Sequence, residues 1–486
     1  MNKHLSGLKP NAVWKNFEKL TQIPRPSKKE GRIIQFMREY GERLGLKTFV
    51  DEVGNVIISK PATPGMEDRK GVILQGHLDM VPQANSDKEF NFETDPIEAY
   101  IDGKWVTAND TTLGADNGIG VAAAMAVLEA TNLVHGPVEA LFTIDEETGM
   151  TGAFGLKPGI LKGDILLNLD SEDDSELNIG CAGGVDAIVT YQYEEVTALA
   201  ENVGFKVMLS GMKGGHSGID ISLYRANANK LLFRFLKKAS SEYEVRIAEV
   251  EAGSLRNAIP REAWALLSVG KAKLEGIKGW LDEFTKTVKN EYKTADPDLK
   301  VAFEIVDNPP KVMDDKSQTD FINAIYACPN GVVRMSNDME NLVETSTNMA
   351  IVTIKDGEAI VKNLLRSSVD SAKHDLGEVV KSVFEMIGAK VELDGDYPGW
   401  QPNPNSPILK EMQEIYNKKF GKIPKIKAVH AGLECGLLGG VYPHLDMISF
   451  GPTIKYPHSP DEKVNIESVN KFWEFLVETL KHIPKK

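Results

Sequence analysis

The hydrophobic pattern of this chain changes character twice. A chain built this way must leave one domain, build another and return. Up to about residue 186, short apolar runs such as GVILQGHLDMV, VEALFTIDE and DILLNLDSE are interleaved with helical stretches such as GIGVAAAMAVLEA. Strands alternating with helices predict a largely parallel sheet covered on both faces. Over 187–397 the strands, GFKVMLSG among them, alternate apolar and polar residues, as half-exposed antiparallel strands do. After about 397 the α/β character resumes with PILKEMQEIYNKKFG, HLDMISFGP and IESVNKFWEFLVETLKHI. The expected architecture is an α/β domain made from 1–186 and 398–486, with an α+β domain over 187–397 inserted into it. A length of 486 residues suits such a multidomain chain.

Helical spacing of Trp14, Phe17, Leu20 and Ile23 opens the first domain, and KKEGRIIQFMREYGERLG predicts a second helix that ends on glycine. In the last helix Ile466, Val469, Trp473, Leu476, Val477 and Leu480 form the expected apolar face. The insertion begins as strand, helix, two strands, helix. A similar order returns from DFINAIYAC onwards, and RNAIPREAWALLSV has a loose echo in TNMAIVTIKDGEAIVKNLLRSS. This predicts two related α+β halves with weak identity.

A net charge of −14 argues against nucleic acid as a partner. The three cysteines are scattered without a C-x-x-C pair, so neither a disulfide framework nor a thiolate zinc site is expected. The first residues lack the apolar core of a signal peptide, and no stretch approaches the roughly 20 apolar residues of a membrane span. The expectation is a reduced, cytoplasmic protein.

Five groups stand out at strand ends and loops, where α/β enzymes place their chemistry: His77, Asp116, Glu147, Asp170 and His458. His77 and Asp79 lie two apart, so on a strand they share a face, and the carboxylate can orient the imidazole. Asp116 in GADNGIG reads either as a helix N-cap or as a carboxylate shared by two cations. Adjacent Glu146 and Glu147 in DEETG would repel if buried, unless a metal takes one and leaves the other to activate water; a solvated acidic loop is the other reading. Oxygen and nitrogen ligands for two metals suit zinc best, with cobalt or manganese as substitutes.

Taken in order, GHLDMV, GADNGIG, DEETG, LNLDSED, GGHSG and HSPDE resemble the dizinc exopeptidases that include carboxypeptidase G, tripeptidase T and the carnosinases. The likeness covers essentially the whole chain, and HLDMVPQ, GCAGG, GGHSGIDI and HAGLECGLL bring it nearest to the dipeptidase members. The resemblance implies two zinc ions per chain. His77 and Asp170 would hold one, Glu147 and His458 the other, and Asp116 would bridge them through a cis peptide to Asn117. Glu146 would be the general base and later the proton donor, Asp79 would fix the His77 ring, and His216 would stabilise the oxyanion. Asn257, Arg366, Gly432 and Glu434 match substrate-contacting positions. Arg366 suits a free α-carboxylate, although an exposed salt bridge is an equal reading of that residue alone.

The implied activity is hydrolysis of unblocked dipeptides, Xaa-His peptides and carnosine included. An N-acyl amino acid amidohydrolase or tripeptidase of the same family is the alternative, and a metal-dependent binding protein without catalysis is a rival of another class. A doubled insertion implies a monomer or homodimer whose catalysis stays within one chain.

Overall fold

A computed structural model describes residues 5–486. It divides into two compact units. The first comprises the chain up to Gly180 together with Pro402–Ala428 and Leu433–Lys486, and the second comprises Cys181–Gln401 and Val429–Gly432. The sequence pattern alone put the crossings at 186/187 and 397/398 and did not separate the short return at 429–432.

The first unit is built on an eight-stranded sheet whose order is Lys47–Val50, Val56–Lys60, Val138–Thr143, Val72–His77, Ile165–Asn168, Asp446–Ser449, Glu176–Cys181, Lys425–Val429. Val72–His77 runs parallel to both of its neighbours, and Asp446–Ser449 runs parallel to Ile165–Asn168. Lys47–Val50, Val56–Lys60 and Val138–Thr143 pair antiparallel in succession, as do Asp446–Ser449 and Glu176–Cys181, so the centre of the sheet is a run of four parallel strands. Every residue of Val72–His77 is buried, which requires cover on both faces because side chains alternate.

Trp14, Phe17 and Leu20 are buried on the helix Asn11–Thr21, whereas Ile23 lies beyond its end. The helix Gly31–Arg43 stops just before Gly45, which takes a φ of 69°. Ala115–Glu129 is apolar on all sides and buried along nearly its whole length. On the last helix, Ile466–His482, the buried face is rotated from the expected one. Phe472 and Phe475 are buried while Trp473 and Val477 are only half-buried. The two phenylalanines pack on Phe450, and Phe475 also meets Tyr416 and Phe420, an aromatic cluster that pairwise spacing could not foresee. No helix among the described residues is long and apolar enough to cross a membrane.

The second unit carries a nine-stranded sheet in which eight strands form two halves with one strand order and the ninth, Gly331–Met335, pairs with Val343–Lys355 of the later half. In one half Asn202–Ser210, Arg246–Ala252, Ala263–Gly270 and Lys300–Val306 are the first to fourth strands, placed in space as fourth, first, third, second. The other half uses Gly183–Gln192, Val343–Lys355, Glu358–Ser367 and Lys390–Tyr397 in the same arrangement. The halves join through their second strands, antiparallel, with Val250 opposite Ile354 and Ala252 opposite Val352.

The halves are nested rather than consecutive. The strand Gly183–Gln192 belongs to the later half, and the whole earlier half is inserted after it. The connections in and out, Glu195–Thr197 and Lys311–Met313, pair with each other. One core runs beneath both halves. Phe321, fully buried on the helix Asp315–Ala327, stacks on Tyr191 of its own half at 5.7 Å and meets Phe233 of the other edge-on at 5.9 Å. Phe321→Ala is therefore expected to cost about 3–5 kcal/mol, read as an earlier urea transition for the inserted unit. A loss below about 1 kcal/mol would show that the halves do not depend on this contact.

Candidate active site

The groups singled out in the first part of the chain come together at the carboxyl ends of the central parallel strands. His77 ends one strand, Glu146 and Glu147 follow Val138–Thr143, and Asp170 follows Ile165–Asn168. Asp116 sits at the start of the helix Ala115–Glu129, but not as its cap. Its backbone is non-helical, its peptide bond to Asn117 is cis, and its side chain turns to two imidazoles. Oδ1 lies 3.1 Å from His77 Nε2, and Oδ2 lies 3.3 Å from His458 Nε2. Asp170 Oδ1 is also 3.3 Å from His77 Nε2, without forming a hydrogen bond, and Glu147 Oε2 is 2.8 Å from His458 Nε2. A glycine at 76 makes this close packing possible, because a Cβ there would meet Asn117 Oδ1 at 2.3 Å.

The donor atoms thus fall into two groups that share Asp116, His77–Asp116–Asp170 and Asp116–Glu147–His458, each spanning no more than 4.8 Å. Each group has an imidazole and two carboxylates, a donor set that suits a divalent cation. Glu147 Oε1 is buried without a hydrogen-bond partner, as a ligand oxygen reserved for an ion would be. These residues fit two metal ions. Left to themselves the carboxylates Asp116 and Glu147 draw a proton onto His458, raising it to about 11. Cation binding at that nitrogen must displace this proton.

Asp79 ties the site together. Its Oδ1 is 3.3 Å from His77 Nδ1 and accepts the Glu146 amide at 3.0 Å, while Oδ2 accepts from Ser27 at 2.8 Å and from the Glu147 amide at 3.2 Å. Burial opposes its charge, yet His77, Ser27 and the Glu146 amide hold the carboxyl down at about 2. Glu146 lies within 4.8 Å of His77 and Glu147. Burial first, then the neighbouring Asp170, Glu434 and Glu147 charges, push its carboxyl well above the usual range despite the opposing pull of His77. Glu434 is buried, with Oε2 taking hydrogen bonds from Gln75 at 2.6 Å and Thr143 at 2.7 Å and with Oε1 unpartnered.

Two supporting residues escaped the sequence reading. Glu462 accepts the backbone amides of Leu113, Gly114, Ala115 and Asp116 at 2.7–3.2 Å, fixing the loop that presents Asp116. It stands four residues beyond His458, inside the segment PHSPDEKVN already singled out, so its position was the available signal. Arg25 is buried and donates to the carbonyls of Leu78, Asp79 and Gly114, and no local pattern marks it.

In the second unit, taken by itself, His216, Asn257, Arg366 and Gly432 also fall in one neighbourhood. The amides of Gly218 and Ile219 donate to His216 Nδ1 at 3.1 and 3.0 Å. These bonds assign the ring proton to Nε2. Burial and then the Arg366 charge lower this imidazole to about 4, so it is neutral at pH 7 with one N–H to give. Ser217 takes the Asn257 carbonyl at 2.8 Å through its amide and Arg366 Nε and Nη2 at 3.3 Å through its hydroxyl. Arg366 is 4% exposed, and among the described residues no carboxylate pairs with it, which removes the exposed salt-bridge reading.

Residues 73–482 match the Peptidase family M20/M25/M40. The chain is 46% identical over 482 residues to the cytosol non-specific dipeptidase of Escherichia coli (strain K12), covering 99% of each protein. Among solved structures it is similar to the aminoacylhistidine dipeptidase of Vibrio alginolyticus, with a TM-score of 0.94, 47% identity, and 99% and 98% of the two chains covered. The aminopeptidase PepT of Bacillus cereus shares the fold at a TM-score of 0.56 and 15% identity, over 98% and 99% of the two chains.

Changing Glu462 to Gln sets an amide N–H against backbone N–H donors and should loosen the Asp116 loop. We expect Glu462→Gln to weaken zinc binding about 10–100-fold, measured by competition with a chromophoric chelator. Unchanged affinity would show that the loop holds its shape without the carboxylate.

Proposed function

The chain belongs to peptidase family M20/M25/M40, and from that premise we propose that it is a dizinc dipeptidase acting on unblocked dipeptides, Xaa-His peptides and carnosine among them. The observation that carries the reading is Asp116, one oxygen towards each imidazole–carboxylate group, with the Glu146 carboxyl beside them. Full-length identity to a protein named as a non-specific dipeptidase supports the substrate class, and that name supports a cytosolic setting.

His77 and Asp170 would hold one ion, Glu147 and His458 the other, and Asp116 both. When bound, two zinc ions, or cobalt or manganese in their place, supply Lewis acidity to the scissile carbonyl and to water. Glu146 takes a proton from the attacking water as its oxygen bonds to the carbonyl carbon. The same carboxyl returns that proton to the leaving nitrogen as the C–N bond breaks. A carboxyl that burial has raised is suited to holding a proton between those two events. His216, neutral with its proton on Nε2, is a donor for the oxyanion.

Arg366 takes the α-carboxylate, with Asn257 and Gly432 lining that end. Glu434, with its buried, unpartnered oxygen, receives the N-terminal ammonium. Burial raises the Glu434 carboxyl to about 8, so an ammonium beside it supplies the charge partner its ionised form lacks and an N-acyl group does not, which favours a dipeptide over an acylated amino acid.

The test is hydrolysis of carnosine, Gly-His and an N-acetyl amino acid by purified protein, chelated and then reloaded with zinc. Cleavage of the two dipeptides should return with metal. Glu146→Ala should lower kcat by about 10²–10⁴, and His216→Ala by about 10²–10³. A reloaded, folded enzyme that cleaves only the acylated substrate sinks the dipeptidase reading. Catalysis within one chain has its own test: mixing inactive His216→Ala and Glu146→Ala chains should restore nothing. Recovered activity would mean that His216 serves a neighbouring chain.

A further inference from the structure

We propose that the Tyr397 hydroxyl is a second recognition group, beside Arg366, for the carboxylate at the substrate's C-terminal end. The proposal rests on the hydrolase reading above and names a residue that neither the motifs nor Arg366 alone would indicate.

The argument starts from the sheet. Gly184 is the direct cross-strand partner of Arg366 on one side and of Tyr397 on the other. The three residues form a row across three strands and face the same way. With strands about 4.8 Å apart, Tyr397 can reach Arg366 only by lying across the position between them. Glycine leaves that position open, since a Cβ at 184 would meet the Tyr397 ring and its hydroxyl at 2.7 Å. On another edge of the ring a Cβ at Gly432 would come to 3.3 Å, so a second glycine fits closely against it. The Tyr397 carbonyl is held by Lys373 Nζ at 2.5 Å, and that lysine is itself buried and paired with Asp370 and Asp396. The GG of GCAGG and the glycine of HAGLECG thereby acquire a physical reason: together they form a slot for one aromatic ring.

The slot delivers the hydroxyl to Arg366. Arg366 Nη1 donates to Tyr397 Oη at 3.1 Å. A phenol that accepts from a guanidinium has its own O–H left to give, and an anion is the acceptor that matches both groups. All three hydrogen bonds from the Arg366 guanidinium go to neutral hydroxyl oxygens, so its charge is buried without a counter-ion among the described residues. Nearby His216 and His430 are held neutral, at about 4 and about 3, by burial and by the Arg366 charge. The cluster thus presents one uncompensated positive charge and a phenol hydroxyl, and a carboxylate suits both.

The test compares a substrate with its C-terminal amide: Gly-His with Gly-His amide or, if the wild type prefers acylated amino acids, N-acetyl-histidine with its amide. The wild type should favour the acid. Tyr397→Phe should reduce the acid-to-amide ratio of kcat/KM by about 10-fold, the range for one hydrogen bond to a charged group, mainly through the KM of the acid. Gly184→Ala, which keeps the hydroxyl but displaces the ring, should reduce the ratio as well. Thermal melting checks that both variants are folded. A merely structural tyrosine would lower both substrates alike, and an unchanged ratio in folded Tyr397→Phe overturns the proposal. Preference for the acylated pair overturns the dipeptidase reading while leaving this proposal open to the same comparison. A wild type that cleaves neither pair overturns both.

Discussion

The first unit depends on crowding negative charge at the ends of its parallel strands. Asp79, Asp116, Glu146, Glu147, Asp170 and Glu434 share a small, largely buried region with two imidazoles and one buried guanidinium. Two like charges 4 Å apart repel by about 4 kcal/mol at the effective dielectric of a protein surface. Arg25 spends its hydrogen bonds on backbone carbonyls, while its buried charge acts through space on Glu462, Asp79, Asp116 and Glu147. Its role is to tie the segments carrying Asp79 and Gly114 together. Of the carboxylates outside the proposed ligand set, Asp79 is answered by the amides of Glu146 and Glu147 and Glu462 by four in the Asp116 loop, while burial and neighbouring charge raise the carboxyls of Glu146 and Glu434 towards the protonated form. What remains is the charge on Asp116, Glu147 and Asp170, together with the two imidazole nitrogens. That remainder is where we propose that the cations bind.

The inserted unit solves a different problem. A half of four strands and two helices exposes the edge of its second strand, and an exposed edge invites pairing with another chain. Here the two edges meet where residues 250–252 pair with 352–354, and Gly331–Met335 covers the earlier part of Val343–Lys355. Nesting one half inside the other brings the two edges into one chain, and the paired connections at Glu195–Thr197 and Lys311–Met313 close the insertion. The shared core, with Phe321 between Tyr191 and Phe233, makes the junction a packed interior rather than a backbone contact alone.

How far the sequence could be read follows from the range of each interaction. The cluster that the structure brings together was legible from its members taken in order: His77, Glu147 and Asp170 follow apolar strands and Asp116 opens an apolar helix, whereas His458 carries no such local signal. The alternation of apolar residues likewise exposed the insertion. Nesting was not legible, because the strand Gly183–Gln192 looks the same whichever half it joins. Its partners, 358–367 and 390–397, are far along the chain. Arg25 and Glu462 acted through backbone atoms, which leave no residue pattern at the other end of the bond. The rotated face of the last helix was decided by Phe450, Tyr416 and Phe420, contacts that helical spacing does not contain.

Tyr397 also shows how one irregularity sets the chemistry of a row. From Lys390 to Asp394 the last strand pairs with Gly183–Gln192 in strict register, Lys390 opposite Thr190 and Asp394 opposite Asp186. Continued unchanged, that register would set Asp396 opposite Gly184, in the row with Arg366. An aspartate there would offer Arg366 a counter-ion and cancel the one buried positive charge that the cluster presents. The register instead shifts after Asp394, where Gly395 takes a φ of 62°, and Tyr397 arrives opposite Gly184. The extra residue turns Asp396 towards Lys373 and His374, at 2.7 and 2.9 Å. A bulge that adds one residue re-aims every side chain after it. Here it replaces a carboxylate with a phenol beside the guanidinium, so the cluster's affinity for an anion rests on a backbone feature as much as on Arg366 itself.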